Sequence, residues 1–277
     1  MTPSHRYMLD VAINSVSCDV LVNDVPVVRS YSGDRLDVKL PVGDFIISGR
    51  NTISIRTLVD LSEGGNSATR ASATLLATPF AQSDWRELMK VETRAVPSAP
   101  GEATTEPLAS LLGVVSPQAS EFDGEIMLLE TSRTIALDAA VPTWRWAGGP
   151  EIPDSEETKA SLMDWYNRFL AIVAERQVTA VRDMTREKVA DLSLAFGLTP
   201  AEIAFEIGLE RALENPALSL LPVDKEQLEV ELAGYGRLAR LYHPAEGAVV
   251  TFINDLQLYH TFDFWLRRDG AGWTMAR

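Results

Sequence analysis

Two hydrophobic periods divide the chain. From Arg6 to Thr78 apolar and polar residues alternate, first at Tyr7, Leu9, Val11 and Ile13, then at Cys18, Val20 and Val22. Leu36, Val38 and Leu40 continue the pattern, as do Ile53 and Ile55. A period of two places each set on one face of a strand. Asn14-Ser15, Asn23-Asp24 and Gly49-Arg50-Asn51 separate the runs with residues that suit turns. Short strands rich in β-branched residues predict an antiparallel sandwich or barrel. Ser83-Asp84-Trp85-Arg86-Glu87 reads as a short helix capped by Ser83. Between about 94 and 120 the composition turns to Pro, Ala, Ser and Thr. That predicts an insertion within the sandwich, with a short helix near 106–113.

The period becomes helical beyond Gly148-Gly149-Pro150, the predicted domain boundary. Asp154 or Ser155 caps a helix over 155–176, with Leu162, Trp165, Tyr166, Phe169, Leu170 and Val173 on its apolar face. A second helix runs from Ala180 to Phe196 and ends at Gly197. Thr199-Pro200-Ala201-Glu202 starts a third, which carries Ile203, Ile207 and Leu213 to Asn215-Pro216. Strand-like runs follow at 228–232, 235–242, 248–253, 258–266 and 273–277. The expected fold is therefore α+β, with a β-sandwich over 1–149 and helices followed by a curved antiparallel sheet over 150–277.

Composition narrows the partners. The 277 residues carry 25 Lys and Arg against 39 Asp and Glu, a formal net charge of −14. There are 12 basic and 18 acidic residues up to Pro150, and 13 and 21 after it, so both halves are acidic. Nucleic acid and anionic membranes demand a positive footprint, so neither is expected as a partner. Cys18 is the single cysteine and cannot form an intrachain disulfide; its alternating context predicts a buried thiol. No run is long and apolar enough to span a bilayer, and the first residues carry no signal-peptide pattern. The expected location is the cytoplasm, or the periplasm or exterior if a leader has been removed.

Two stretches bear family resemblances. Val20–Val27 (VLVNDVPV) and Leu40–Thr57 (LPVGDFIISGRNTISIRT) resemble the galactose-binding-like jelly-rolls, including the sugar-binding domain of family 2 glycoside hydrolases. Gly49, Asn51, Ile53 and Ile55 match the G-x-N-x-I-x-I phrase, whereas Asp24 replaces the glycine of V-x-V-N-G. These are framework positions, and they imply no sugar-contacting residue. The helix around Trp165-Tyr166-Asn167-Arg168-Phe169, with the closing hairpin Phe262 to Trp273, resembles the NTF2-like superfamily. That resemblance implies a cone-shaped α+β domain, a plan used by enzymes, ligand binders and dimerisation modules alike.

Chemistry-bearing motifs are scarce. There is no Gly-rich phosphate loop, no His/Cys metal spacing and no G-x-S-x-G. No metal or cofactor is expected. Of the three histidines, His5 and His243 read as solvent-facing, the latter at a turn before Pro244. His260 shares a strand face with Leu258, Phe262, Phe264 and Leu266 and is the candidate general base if that face lines an open cone. Asp164 is its candidate carboxylate partner, beside Tyr166. Trp144 and Trp146, two apart on an expected strand, are candidate sugar-stacking residues, with packing under a neighbouring segment as the other reading.

The favoured reading is a non-catalytic protein that recognises a protein partner, basic in character, through its acidic surface. The alternatives are a pocket isomerase, dehydratase or hydrolase, and a carbohydrate-binding accessory whose partner is a glycan. Self-association as a homodimer is left open.

Overall fold

Strand alternation carries directly into the first half of the structure. In a computed structural model of the chain, the described residues are 3–60, 70–94, 118–122, 126–137, 141–244, 247–270 and 272–277. The insertion expected at about 94–120, with its short helix, lies outside them except at its ends. The fold is α+β in two units, Met1–Thr143 and Trp144–Arg277. The division falls just ahead of Gly148-Gly149-Pro150, because Trp146 packs on Gly234 and Ile152 donates its N–H to the Gly236 carbonyl.

Unit 1 is a two-sheet antiparallel sandwich. Its strands are β1 (His5–Asn14), β2 (Ser17–Val22), β3 (Val25–Ser30), β4 (Leu36–Pro41), β5 (Gly49–Asp60), β6 (Arg70–Pro79), β7 (Arg86–Arg94), β8 (Gln118–Phe122) and β9 (Ile126–Leu137). One sheet has the order β4-β1-β6-β7 and the other β3-β2-β5-β9-β8. Leu9, Val11 and Ile13 of the first sheet meet Val20, Ile53 and Ile55 of the second in one core. Cys18 belongs to it as a small hydrophobe, its thiol pushed up to about 12 by burial and then by Asp19. The described residues between Arg6 and Thr78 therefore fold as their alternation predicts.

The segment after Ser83 does not. Arg86–Arg94 is a strand, although its Arg, Glu, Leu, Met and Lys favour a helix when isolated. Met89, Val91 and Thr93 alternate into the interior and pair along β6, and that burial overrides propensity.

Asn23 and Asn51 lock the second sheet. Asn23 and Asp24 have φ of 50° and 65°, the paired positive values of a tight two-residue hairpin between β2 and β3. The buried Asn23 side chain donates to the Phe45 carbonyl (2.7 Å) and to Asn51 Oδ1 (2.8 Å), and accepts from the Thr52 N–H (2.9 Å). Asn51 Oδ1 also accepts from the Ile47 N–H (2.8 Å), while its Nδ2 donates to the carbonyls of Ile47 (2.7 Å) and Gly49 (3.0 Å). Two side chains thus satisfy the backbone of a turn that enters β5.

Unit 2 begins with four helices, α1 (Glu156–Ala174), α2 (Val178–Phe196), α3 (Pro200–Ile207) and α4 (Leu209–Glu214). Ser155 caps α1, accepting from the Thr158 N–H at 3.2 Å. Thr199 and Glu202 form a capping box at the start of α3. The expected single helix to Asn215 is broken at Gly208, whose φ of +76° no helix accommodates. Arg176 then secures the end of α4, donating to the carbonyls of Leu213 (2.7 Å), Asn215 (2.8 Å) and Leu218.

Antiparallel strands follow as β10 (Ser219–Leu220), β11 (Glu229–Ala233), β12 (Leu238–His243), β13 (Gly247–Ala248), β14 (Val250–Ile253), β15 (Tyr259–Phe262), β16 (Leu266–Asp269) and β17 (Gly272–Met275). One sheet is β10-β14-β15, and the other is β11-β12-β16-β17 with β13 on β12. The expected strand over 258–266 is cut in two, because β15 pairs with β14 whereas Leu266 pairs across to Ala239 in the other sheet. Trp165, Phe169 and Phe264 pack in sequence, Trp165 stacked on Phe169 at 5.0 Å and Phe169 edge-on to Phe264 at 5.6 Å. Phe252 lies in the same core.

Candidate functional site

The residues singled out from the sequence do not assemble. Tyr166 is interior, its hydroxyl donating to the Phe264 carbonyl at 3.4 Å, and burial raises its pKa. Asp164 lies on the solvent face of α1. His260 lies opposite Phe252, but β15 ends at Phe262, so the face expected to join it with Phe264 and Leu266 is broken, and on this edge strand it is exposed. His243 corrects the sequence reading in the other direction: it closes β12 against Gly247 and is buried. His5, expected in solvent, is the first residue of β1 and is half-buried. Among the described residues no three His, Cys, Asp or Glu side chains gather as metal ligands.

Trp144 and Trp146 are each 1% exposed and sit in turns rather than on a strand. The Arg277 guanidinium lies 5.3 Å from the ring of Trp144 and 5.9 Å from that of Trp146. Gly234, at φ +61°, lets Trp146 approach so closely that a Cβ there would lie 3.0 Å from Cζ3. Neither ring face is open to a sugar, which corrects the glycan-stacking reading.

A charged cleft of about 420 Å³ lies beside α2, lined in part by Arg145, Trp165, Met184, Glu187, Trp273 and Met275. Glu187 accepts from Arg267 at 2.8 Å and pairs with Arg145 at 3.3 Å. Burial pushes its carboxyl up, but the hydrogen bond and charge of Arg267, with Arg145, outweigh this and hold the pKa below its ordinary 4.5. One turn on, burial raises Asp191 despite Arg277 at 3.8 Å. A carboxylate with a depressed folded pKa stabilises the fold above its unfolded pKa and loses that contribution as pH falls through the folded value. Asp191 has the opposite sign, its stability falling as pH rises through its raised pKa. Glu187→Gln is therefore expected to lower the melting temperature at neutral pH, and the gap from wild type should close as pH drops below 4.5. A gap that stays constant through thermal melts over that range would show that the carboxylate charge contributes nothing.

Among the described residues, the most exposed apolar segment is the hairpin joining β14 to β15. Leu256 is 77% exposed, Leu258 56% and Tyr259 63%. The turn that presents them is internally bonded: Asn254 Oδ1 accepts from the N–H groups of Leu256 (2.9 Å) and Leu258 (3.0 Å), and Gln257 donates to the Asn254 carbonyl (3.0 Å). Folding has fixed three large apolar side chains in water, where each forgoes about 1.5–3 kcal/mol of burial. Sequence reading missed this surface, although Leu256–Phe262 is an uncharged run between Asp255 and Asp263. Periodicity counts such a run as strand and says nothing of its position at a sheet edge.

Compared with known proteins, the chain matches no family model, no curated protein and no solved structure. Among the described residues no helix is long and apolar enough to cross a membrane.

Proposed function

We propose that the chain is a non-catalytic binding protein that takes up a basic protein partner, with the β14–β15 hairpin as its apolar contact and the acid excess as its steering field. The observation that carries this reading is the bonded turn holding Leu256, Leu258 and Tyr259 in solvent. Exposed apolar side chains grouped on an ordered element mark interaction sites. A net charge of −14 supports a partner of opposite sign. The packing of Trp165, Phe169 and Phe264 gives no support to the enzyme alternative, which asks for His260 and a carboxylate in an open interior. Within this proposal unit 2 is an NTF2-like module and unit 1 a galactose-binding-like support. The order of helices and strands and the two-sheet sandwich favour those names.

The test is capture from a lysate of the source cell with wild-type protein and with Leu256→Ser/Leu258→Ser/Tyr259→Ser. A basic protein held by the wild type, released as salt rises and not held by the variant, is the expected result. Equal capture by both, or an acidic partner, would sink the proposal.

A further inference from the structure

Building on that reading, we infer that β15 receives an extended segment of the partner as an added strand, apolar at its middle and carrying Lys or Arg toward its ends. β15 pairs with β14 along Tyr259 to Phe262, and among the described residues no strand pairs with its other side. Alternate residues of an antiparallel edge therefore point backbone N–H and C=O groups outward, a ready template for another strand. Natural edges are usually blunted by Lys, Pro or a bulge, and Leu256-Gln257-Leu258-Tyr259-His260-Thr261-Phe262 has no Lys, no Pro and no formal charge at neutral pH. Among the described residues this edge is left open.

Its flanks specify the occupant. Asp255 precedes the run, and among the described residues it forms no ion pair. Asp263 follows it, bonded to Arg240, whose guanidinium is also held by Glu231 at 2.7 Å. Asp263 thus places a carboxylate at that end as well. A segment laid along β15 meets apolar and neutral side chains in the middle and negative charge at each end, which Lys or Arg complements. A second copy of this chain fits less well. It brings the same flanking acids and a net charge of −14, so like charge would face like at both ends.

The test uses full-length protein with the photo-crosslinker p-benzoylphenylalanine replacing Tyr259, or for comparison the exposed Phe205 on α3. Crosslinked peptides are sequenced, and hydrogen exchange is compared for the free and partner-bound protein. Strand addition is expected to give a crosslink from position 259 to a segment flanked by Lys or Arg. It should also slow exchange of the 259–262 amides by at least about tenfold. A partner crosslinked only from position 205, a crosslink onto a second copy of this chain, or binding without slowed exchange would each overturn strand addition. Only the last of these leaves the binding proposal standing. Crosslinking of nothing from either position overturns both.

Discussion

Asn51→Ala is expected to destabilise unit 1 by about 3–5 kcal/mol, a loss out of proportion to the few atoms removed. The side chain makes four hydrogen bonds, to Asn23 Nδ2 and the Ile47 N–H through its oxygen, and to the Ile47 and Gly49 carbonyls through its nitrogen. Alanine replaces none of them, and the site is fully buried, so water cannot substitute. Each orphaned group costs about 1–3 kcal/mol, and relaxation of the 47–51 turn keeps the total below the simple sum. Asn51→Asp should also destabilise, because it keeps the acceptor but loses the donor and introduces a buried charge. Urea unfolding measures the loss, and hydrogen exchange in β2, β3 and β5 locates it. A loss under about 1 kcal/mol would mean the asparagine pair is not what holds the sheet's turns.

Phe169→Ala is expected to cost unit 2 a similar ~3–5 kcal/mol, by a different mechanism. The ring is fully buried between Trp165 and Phe264, so its removal forfeits transfer energy and leaves a void that two large rings cannot close. Tryptophan fluorescence is the natural probe, since Trp144, Trp146, Trp165, Trp265 and Trp273 all belong to unit 2 and only Trp85 to unit 1. Leu256→Ser provides the contrast: it removes a similar amount of apolar surface from water-exposed positions and should change stability by no more than about 0.5 kcal/mol. Losses of equal size at Phe169 and Leu256 would place Leu256 in a core and remove the basis for calling it a contact surface.

What could be read from sequence tracks how local the deciding forces are. β1 and the β2–β3 hairpin were legible because alternation and the Asn23-Asp24 turn agree, and the positive φ values there are what those residue types tolerate. The capping box at Thr199 and Glu202 was legible for the same reason. β7 was not, since Met89 and Val91 become a strand only against β6, a partner that no local window contains. Parity groups His260 with Phe264 and Leu266, but the break after Phe262 and the exposure of β15 as the last strand of a three-stranded sheet are facts of topology. Spacing alone places Trp144 and Trp146 on a strand, because it cannot see Gly234 and Arg277, which hold them from far along the chain. The Glu187 pairs with Arg145 and Arg267 lie beyond local pattern in the same way. Leu256–Phe262 shows the converse: its lack of charge is visible, but its meaning requires knowing that no described strand pairs with the outer edge of β15.

In the proposed function, the apolar tip of the β14–β15 hairpin holds a basic protein. The most direct measurement is the dissociation constant of the captured partner for the wild type and for Leu256→Ser/Leu258→Ser/Tyr259→Ser, both checked for unchanged melting. A rise of at least about tenfold in the variant, with affinity falling as salt increases, is expected. An unchanged constant in a variant that folds normally would contradict the account.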